Sequence, residues 1–331
     1  MALRIVVIGA SHWHGAFDAA YLRLFAQMPS VEVVGVHDDD PAMAADRASI
    51  VGATAYTDAR QMIETERPDF ALSLGTHAAM PALHQLCLDH KLPFLTEKPM
   101  GRNAGEVRPV VERIEREGLY AAVALPNRLG PIYDRAKTMI EQGAFGKLVY
   151  LHFRIIRPTL NRYPEYDSPW MLDPAISGGG CLRNLGPHLF DLFLSLTGED
   201  AEVEAATTSF RGHDAAIEDY AAVTLRSESG IVGTLEAGYT YPTEGTDMEF
   251  RIAGSEAILR FDRAGAIVVR ATGEEELAKS AEALLAGYEA LLPETIERFQ
   301  RGDPPIATPR DCLRAVELID AAYRLAGAPW A

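Results

Sequence analysis

The chain has 331 residues, of which 48% are hydrophobic and 24% charged, as in ordinary globular proteins rather than disordered or fibrous ones. This length exceeds what one hydrophobic core usually supports, so we expect two domains. Lysine and arginine number 31 against 47 acidic residues, and the net charge of −16 argues against binding to nucleic acids or to anionic membranes.

The sequence carries no sign of membrane insertion or export. No stretch is apolar for long enough to predict a membrane-spanning helix. The first residues run directly into a predicted strand, without the basic segment and apolar run of a secretory signal. Three cysteines cannot form an even set of disulfides, and free thiols are typical of a reducing compartment. We therefore expect a cytoplasmic protein.

The first 124 residues alternate short apolar runs with amphipathic segments. The apolar runs predict buried parallel strands at Ile5–Ile8, Val31–Val36, Phe70–Leu74, Phe94–Thr96 and Tyr120–Ala124. Helical spacing predicts a first helix with an apolar face of Phe17, Tyr21, Leu24, Phe25 and Met28, and further helices over Pro41–Ile50, Asp58–Glu66, Ala78–His90 and Ala104–Glu117. This alternation predicts an α/β Rossmann domain, a doubly wound parallel sheet, over residues 1–124.

After residue 124, predicted strands follow one another through short turns. A helix from Pro131 to Gly143 precedes strands at Leu148–Arg157, Glu202–Phe210, Tyr220–Arg226, Gly230–Tyr239, Asp247–Ala253, Ala257–Asp262 and Ala266–Ala271. Two helices close the chain, one over Ala281–Arg301 and one from Pro309, which Thr308 would cap. The pattern predicts an α+β domain over residues 125–331, with an open and mainly antiparallel sheet.

A dinucleotide site is predicted where the first strand ends. The turn reads Gly9-Ala10-Ser11-His12-Trp13-His14-Gly15, in which only Gly9 fits the G-x-G-x-x-G spacing. Asp38 follows the second strand, where an acidic residue binds the adenosine ribose. Because Asp38 and Asp39 would repel a 2′-phosphate, we predict NAD(H) in preference to NADP(H). The alternative is a plain strand–turn–helix without a ligand.

Several histidines lie in or near this turn, at His12, His14, His37 and His77. A transition-metal site needs three or four converging ligands, usually with thiolates or carboxylates among them. The turn is already explained by an anion site, so we predict no bound metal.

Two longer motifs carry a resemblance to a known family. The fifth strand runs into Leu95-Thr96-Glu97-Lys98-Pro99-Met100, and a later segment reads Gly178-Gly179-Gly180-Cys181-Leu182-Arg183-Asn184-Leu185-Gly186-Pro187-His188-Leu189-Phe190-Asp191. Together they resemble the Glu-Lys-Pro and G-G-G-x-L-x-D-x-G-x-H-x-x-D signatures of the glucose–fructose oxidoreductase / inositol dehydrogenase / MocA (Gfo/Idh/MocA) family. The resemblance extends over nearly the whole chain.

The resemblance implies an NAD(P)-dependent dehydrogenase that transfers hydride at a hydroxyl or carbonyl carbon of a sugar, cyclitol or sugar acid. In that family the substrate lies between the nicotinamide and the open sheet, and subunits associate through this sheet as homodimers or homotetramers. By position, Lys98, His188 and Asn184 are the catalytic candidates, and Asn127 and Arg128 are candidates for binding substrate. The residues expected around the cofactor are Gly9, Ser11, His12, Trp13, His14, Asp38, Gly75, Thr76, His77, Glu97 and Lys98.

The residue chemistry supports these roles independently. Oxidising a carbinol requires a base for the hydroxyl proton, which an imidazole supplies, and a cation near the developing alkoxide, which an ammonium supplies. Arg154–Trp170 adds arginines, including Arg157, and aromatic rings that suit a polar or anionic substrate.

Asn184 stands where the family has aspartate. It either orients a substrate hydroxyl or caps the helix that carries His188, and Asp191 is an alternative carboxylate for orienting that imidazole. Two other functions remain open: a catalytically idle member that senses NAD or a sugar, and an NAD-dependent glycosidase.

Overall fold

The computed structural model describes residues 2–158, 160–279 and 287–330. The chain forms two compact units. The first comprises Met1–Ala124, Tyr163–Gly178 and Tyr288–Leu313. The second comprises Leu125–Arg162, Gly179–Gly287 and Arg314–Ala331. The first unit therefore includes two stretches of chain beyond residue 124.

The strands fall into two sheets. In chain order they are β1 (Leu3–Ile8), β2 (Val31–His37), β3 (Thr54–Tyr56), β4 (Phe70–Ser73), β5 (Phe94–Thr96), β6 (Ala121–Val123), β7 (Leu148–Pro158), β8 (Ala201–Ser209), β9 (Tyr220–Ser227), β10 (Val232–Tyr241), β11 (Asp247–Gly254), β12 (Ala257–Asp262), β13 (Gly265–Arg270) and β14 (Gly273–Ala278).

The helices lie before, between and after these strands in the chain. They are α1 (Tyr21–Ala26), α2 (Pro41–Val51), α3 (Ala59–Glu66), α4 (Met80–Asp89), α5 (Ala104–Glu117), α6 (Pro131–Glu141), α7 (Arg162–Glu165), α8 (Pro174–Ser177), α9 (Cys181–Thr197), α10 (Tyr288–Arg301) and α11 (Pro309–Ala326). Among the described residues, no helix has the length and apolar character that crossing a membrane requires.

The first unit contains a six-stranded parallel sheet in the order β3-β2-β1-β4-β5-β6. The buried central strands, such as Val6–Ile8, supply the apolar core. The chain winds outward in both directions from β1 and β4, so the strand order reverses between them. Ligands of doubly wound sheets bind at the carboxyl ends of strands beside this reversal. The predicted Rossmann fold is confirmed.

The second unit contains an eight-stranded sheet in the order β14-β13-β12-β11-β7-β10-β9-β8. Its neighbours are antiparallel except β7 and β10, which run parallel. Helix α9 packs on β10, β9 and β7. The predicted open, mainly antiparallel sheet is also confirmed.

The prediction for the first helix was wrong in its extent. Helix α1 covers only Tyr21–Ala26, so Phe17 and Met28 lie outside it. A 3₁₀ turn, Trp13–Gly15, and a bend with positive φ at Asp18 and Ala20 precede it. Phe17 instead stacks on Tyr166, with ring centroids 4.7 Å apart. Hydrophobic spacing therefore placed a helix where aromatic packing holds an irregular loop.

Short edge strands and one helix start also differ from the expectations. The hydrophobic pattern did not predict β3 or β14, whose residues are mostly exposed and lack an apolar alternation. The helix predicted from Ala281 begins at Tyr288, and residues 281–286 lie outside the described residues. Thr308 caps α11 as predicted, since its hydroxyl accepts from the Asp311 amide at 3.1 Å.

Candidate functional site

The turn after β1 approaches the turn after β4 very closely. Gly9 has a φ of +69°, and a Cβ there would lie 2.8 Å from the Gly75 Cα. A Cβ on Gly75 would in turn lie 2.6 Å from the Leu83 Cδ1. Position 9 therefore requires glycine, because its φ is positive and a Cβ would meet backbone atoms where the strand order reverses. The contact at position 75 is with the end of a flexible side chain.

Asp38 anchors the glycine turn from the end of β2. Its Oδ2 accepts from the Ala10 amide at 2.8 Å and from the Ser11 hydroxyl at 2.7 Å. Its Oδ1 accepts from the Asp40 amide at 3.1 Å. A carboxylate offers about four lone-pair sites, so one remains for a ligand hydroxyl. Ser11, in the second glycine position, thus binds the acid that the sequence assigns to the ribose.

The rest of the turn is closed by its own hydrogen bonds. The His12 amide donates to the Leu74 carbonyl at 2.8 Å, the His14 amide to His12 Nδ1 at 3.2 Å, and the Gly15 amide to the His12 carbonyl at 3.0 Å. In many Rossmann domains the first helix begins at this turn and presents free amides to the pyrophosphate. Here the close glycine approach and Asp38 fit a dinucleotide, whereas α1 begins too late to supply that helix terminus.

A later stretch of the first unit packs on the same turn. The Ser168 hydroxyl and the Trp170 indole Nε1 both donate to the Ser11 carbonyl, at 2.9 and 3.0 Å. Arg47 pairs with Asp167 at 2.9 Å and lies over the Phe17 ring. Trp170 lies in the segment that the sequence predicts to contact substrate. In the structure its indole stabilises the glycine turn.

The Glu-Lys-Pro turn after β5 is buried, with Glu97 0% and Lys98 1% exposed. Glu97 Oε1 lies 2.7 Å from His14 Nδ1 and accepts from the Tyr21 hydroxyl at 2.7 Å. Glu97 Oε2 accepts from the Lys98 amide at 3.2 Å. The Lys98 ammonium lies 5.6 Å from the centroid of the Trp13 ring. The candidate catalytic lysine and the residue in the third glycine position are therefore joined through one carboxylate.

His12 and His77 complete this region of the first unit. Burial, opposed by Glu97, lowers the pKa of His12 well below its ordinary value, and His14, Lys98 and His77 lower it further. His77 is buried, and its Nδ1 lies 2.7 Å from the Ser177 carbonyl oxygen. Thr76 is half-buried, and its hydroxyl accepts from the Ala79 amide at 3.3 Å just before α4.

The ligand atoms of His12, His14 and Glu97 lie within 4.8 Å of one another. Hydrogen bonds already engage Glu97 Oε1 twice and His12 Nδ1 once. The Lys98 ammonium adds a positive charge that disfavours a cation there. We interpret this set as a hydrogen-bonded cluster.

In the second unit, α9 carries the remaining catalytic candidates. The N-cap residue is Gly180, and Asn184 lies inside the helix, 1% exposed. The alternative that Asn184 caps this helix was therefore wrong, because the helix begins directly after the glycine run, about one turn before Asn184. His188 lies one turn after Asn184 and is half-buried.

A buried carboxylate caps α9 instead. Glu218 Oε2 accepts from the Gly180 amide at 2.7 Å, and Oε1 accepts from the Leu182 amide at 2.9 Å and from the Tyr323 hydroxyl at 2.7 Å. Burial raises the pKa of Glu218, and these hydrogen bonds oppose the shift. The position of α9 therefore depends on an acid that lies far from it in sequence.

Arg128 and Asp191 form a two-pronged ion pair in the second unit. Arg128 Nε donates to Asp191 Oδ2 at 2.9 Å, and Arg128 Nη2 donates to Oδ1 at 2.5 Å. Each side chain therefore has a strong partner on the protein itself. Asn127 is half-buried and borders a mostly apolar cavity.

The arginines predicted to meet substrate lie along β7. Arg157 Nη1 donates to the Thr246 hydroxyl at 3.0 Å. Arg154 forms ion pairs with Asp247 at 3.1 Å and Glu249 at 3.2 Å on β11. Arg154 is thus neutralised within the sheet, and the Thr246 hydroxyl to which Arg157 donates is uncharged.

Two family models match the chain. One, described as an oxidoreductase family with an NAD-binding Rossmann fold, matches residues 3–125. The other, described as the GFO/IDH/MocA C-terminal domain, matches residues 133–260. The chain belongs to the Gfo/Idh/MocA family.

Named proteins agree with this membership. Myo-inositol 2-dehydrogenase of Thermotoga maritima is 24% identical over 97% of this chain and 96% of that protein. Trans-1,2-dihydrobenzene-1,2-diol dehydrogenase of Bos taurus is 29% identical over 50% of this chain and 48% of that protein, so the chain spans about half the length of this relative. The structure of a levoglucosan dehydrogenase with NADH and levoglucosan is 19% identical, covers 99% of this chain and 98% of that one, and has a TM-score of 0.84, a likeness that establishes the fold.

Several contacts in this Gfo/Idh/MocA member were not predicted from its sequence. Tyr21 was assigned to an apolar helix face, and its hydroxyl binds Glu97. Glu218 and Tyr323 were not singled out, although both lie at the start of α9. An acidic residue such as Glu218 inside an apolar segment indicates a buried side chain with hydrogen-bond partners, but residue spacing does not predict which partners these are.

Proposed function

We propose that this protein is an NAD-dependent dehydrogenase that oxidises or reduces the hydroxyl or carbonyl carbon of a sugar, cyclitol or sugar acid. The observation that carries the proposal is the buried Glu97–Lys98 turn at the carboxyl end of β5. A lysine that is 1% exposed there has lost most of its hydration, which is costly unless the ammonium has a function or a partner. The names of the dehydrogenase relatives support the substrate class.

In the proposed reaction, an ammonium stabilises charge and an imidazole transfers the proton. NAD, when bound, accepts or returns the hydride. Lys98 stabilises negative charge on the substrate oxygen, and His188 takes the hydroxyl proton. Asn184 orients that hydroxyl, since an amide both donates and accepts hydrogen bonds. Arg157 binds a polar or anionic group of the substrate, whereas Arg128 acts through Asp191, with which it is paired.

We propose further that NAD(H) is preferred over NADP(H). Asp38 is held in place by the glycine turn and accepts hydrogen bonds, which suits ribose hydroxyls. The Asp39 side chain is 95% exposed and would face a 2′-phosphate with like charge. These terms together disfavour NADPH by about tenfold or more. Fluorescence titration with each reduced cofactor tests this: Asp39→Arg should gain NADPH affinity, and equal or tighter NADPH binding by the native protein would contradict the proposal.

We also propose a homodimer or homotetramer formed through the face of the large sheet opposite α9. Along β7, Leu151, Phe153 and Ile155 are buried, while the alternate residues are half-exposed. Arg154 with Asp247 and Glu249 places charge on that second face. Sedimentation should give a dimer or tetramer, weakened in Arg154→Glu, and a monomer at micromolar concentration would refute it.

The experiment that tests the activity is a substrate panel with purified protein. Sugars, cyclitols and sugar acids are supplied with NAD, and NADH is followed by absorbance. Lys98→Met should lower kcat/KM by about 10²–10⁴ with little change in cofactor affinity. Lys137→Met, which removes an exposed lysine of α6, is the matched control. A Lys98→Met enzyme with more than half of native turnover would exclude the catalytic role.

The same panel separates the other two functions. Net NADH formation supports the dehydrogenase. Release of an aglycone without net NADH would identify a glycosidase. Cofactor binding with no turnover on any substrate would identify a sensor. His188→Ala should abolish the acidic limb of the pH–rate profile, because a neutral imidazole is the proposed base.

A further inference from the structure

His14 stands in the third position of the glycine turn, where a Rossmann domain commonly has a small residue. Its side chain is 7% exposed and that of Glu97 is 0% exposed. A buried carboxylate must be hydrogen-bonded or neutralised to be stable. His14 is therefore placed to act on Glu97 rather than on solvent.

The hydrogen bonds around Glu97 assign the proton on His14. The Tyr21 phenol donates to Oε1, and burial and the nearby Glu97 raise the pKa of Tyr21 well above its ordinary value, so it keeps its proton. The Lys98 amide donates to Oε2. Both oxygens thus act as acceptors, so His14 Nδ1, at 2.7 Å, carries the hydrogen that it shares with Oε1.

Other ionisable groups face this cluster from several elements. His12 lies in the same turn, and His77 and Lys98 act electrostatically on it. Tyr288 of α10 lies 4.7 Å from the His14 ring and 5.5 Å from the Tyr21 ring. Tyr163 lies 5.3 Å from Trp13. Among these groups Glu97 is the carboxylate, so its ionised state sets the local field at Lys98.

We propose that His14 is a positioning residue which, by donating from Nδ1 to Glu97, keeps that carboxylate ionised and thereby keeps Lys98 protonated at the pH of catalysis. The proposal rests on the function proposed above. Hydrogen bonds to a charged form favour that form, and a nearby negative charge favours an ammonium. Loss of the His14 donor removes one of the hydrogen bonds that favour the charged carboxylate, and with it part of the electrostatic support of the Lys98 ammonium.

The test compares two substitutions at residue 14. His14→Leu removes the donor, and His14→Asn retains an amide N–H near the place of Nδ1. In His14→Leu the alkaline limb of the pH profile of kcat should move to lower pH by about one unit. The NADH dissociation constant should change less than about threefold. His14→Asn should restore the limb. An unchanged or upward-shifted limb, an effect confined to cofactor affinity, or no rescue by asparagine would overturn the proposal.

A second measurement does not depend on turnover. The ¹⁵N chemical shifts of the imidazole nitrogens in the native protein, assigned with His14→Asn, should show the Nδ1–H tautomer for His14. An Nε2–H tautomer overturns the proposal even if the enzyme is active. If no substrate is turned over, the proposed function fails, while the tautomer still decides whether His14 donates to Glu97.

Discussion

Replacing Gly9 with alanine isolates the close approach of two backbones at the proposed cofactor turn. The Cβ would lie 2.8 Å from the Gly75 Cα, 2.9 Å from the Gly75 nitrogen and 2.9 Å from the Leu83 Cδ1. Two of these neighbours are backbone atoms of the turn after β4, so relieving the contact would require the backbone at a strand end to move.

The loss of folding free energy in Gly9→Ala has two parts, which a second glycine of this chain allows us to separate. An alanine at positive φ costs about 1–2 kcal/mol, and overpacking of a rigid contact adds about 1–3 kcal/mol. Gly52 has nearly the same φ, +68°, and a Cβ there would meet nothing within 4 Å. Gly52→Ala therefore measures the first part alone, and both glycines belong to the first unit.

Thermal unfolding followed by circular dichroism provides the assay. With about 2–4 °C per kcal/mol, Gly52→Ala should lower the Tm by about 2–8 °C, and Gly9→Ala by about 4–20 °C. Gly9→Ala should also weaken NADH binding at least tenfold, whereas Gly52→Ala should leave it unchanged. Equal losses of Tm in the two variants would refute the close approach as the reason for glycine at position 9.

Three further outcomes follow from buried polar groups. Glu218→Gln places an amide N–H against the Gly180 or Leu182 amide and should cost about 1–3 kcal/mol in chemical unfolding. A variant as stable as the native protein would contradict the cap. Asn184→Asp should retain at least about a tenth of the native kcat, whereas Asn184→Leu should lower kcat by about 10²-fold or more. Native activity in the leucine variant would exclude a role for the amide. Burial lowers the pKa of His84 to about 3, so as the pH falls below about 6.5 the unfolded chain binds a proton at this residue before the folded chain does. The free energy of unfolding should therefore fall by about 1.4 kcal/mol per pH unit from about pH 6 to 4. His84→Gln should remove this part of the pH dependence of stability, and an unchanged dependence would be inconsistent with a neutral His84.

Local sequence was sufficient for the elements whose residues face one uniform environment. Strand β5 is wholly buried, and its apolar run predicted Phe94–Thr96 to the residue. Helix α5 was predicted equally well, because Asn103 caps it by accepting from the Glu106 amide at 3.1 Å. Such features depend on neighbours within a few residues, so composition and spacing contain the necessary information.

The same holds for part of the candidate site. The Gly9 turn and Asp38 after β2 were predicted from their places at strand ends, and Lys98 after β5 from the resemblance of the Glu-Lys-Pro motif. Parallel strands bring these carboxyl ends to one edge of the sheet. A strand alternation alone therefore predicts which loops meet, before any side-chain contact is known.

Tertiary contacts decided the remainder. Helix α1 is short because Phe17 packs on Tyr166, a partner far away in the sequence. Asn184 is not a cap because Glu218, brought in by β9, already binds the amides at the start of α9. His14 meets Glu97 only after the sheet has placed the ends of β1 and β5 in one unit. Each of these contacts joins residues whose separation along the chain carries no periodic signal, and the free energy that selects them comes from burying polar and aromatic groups together.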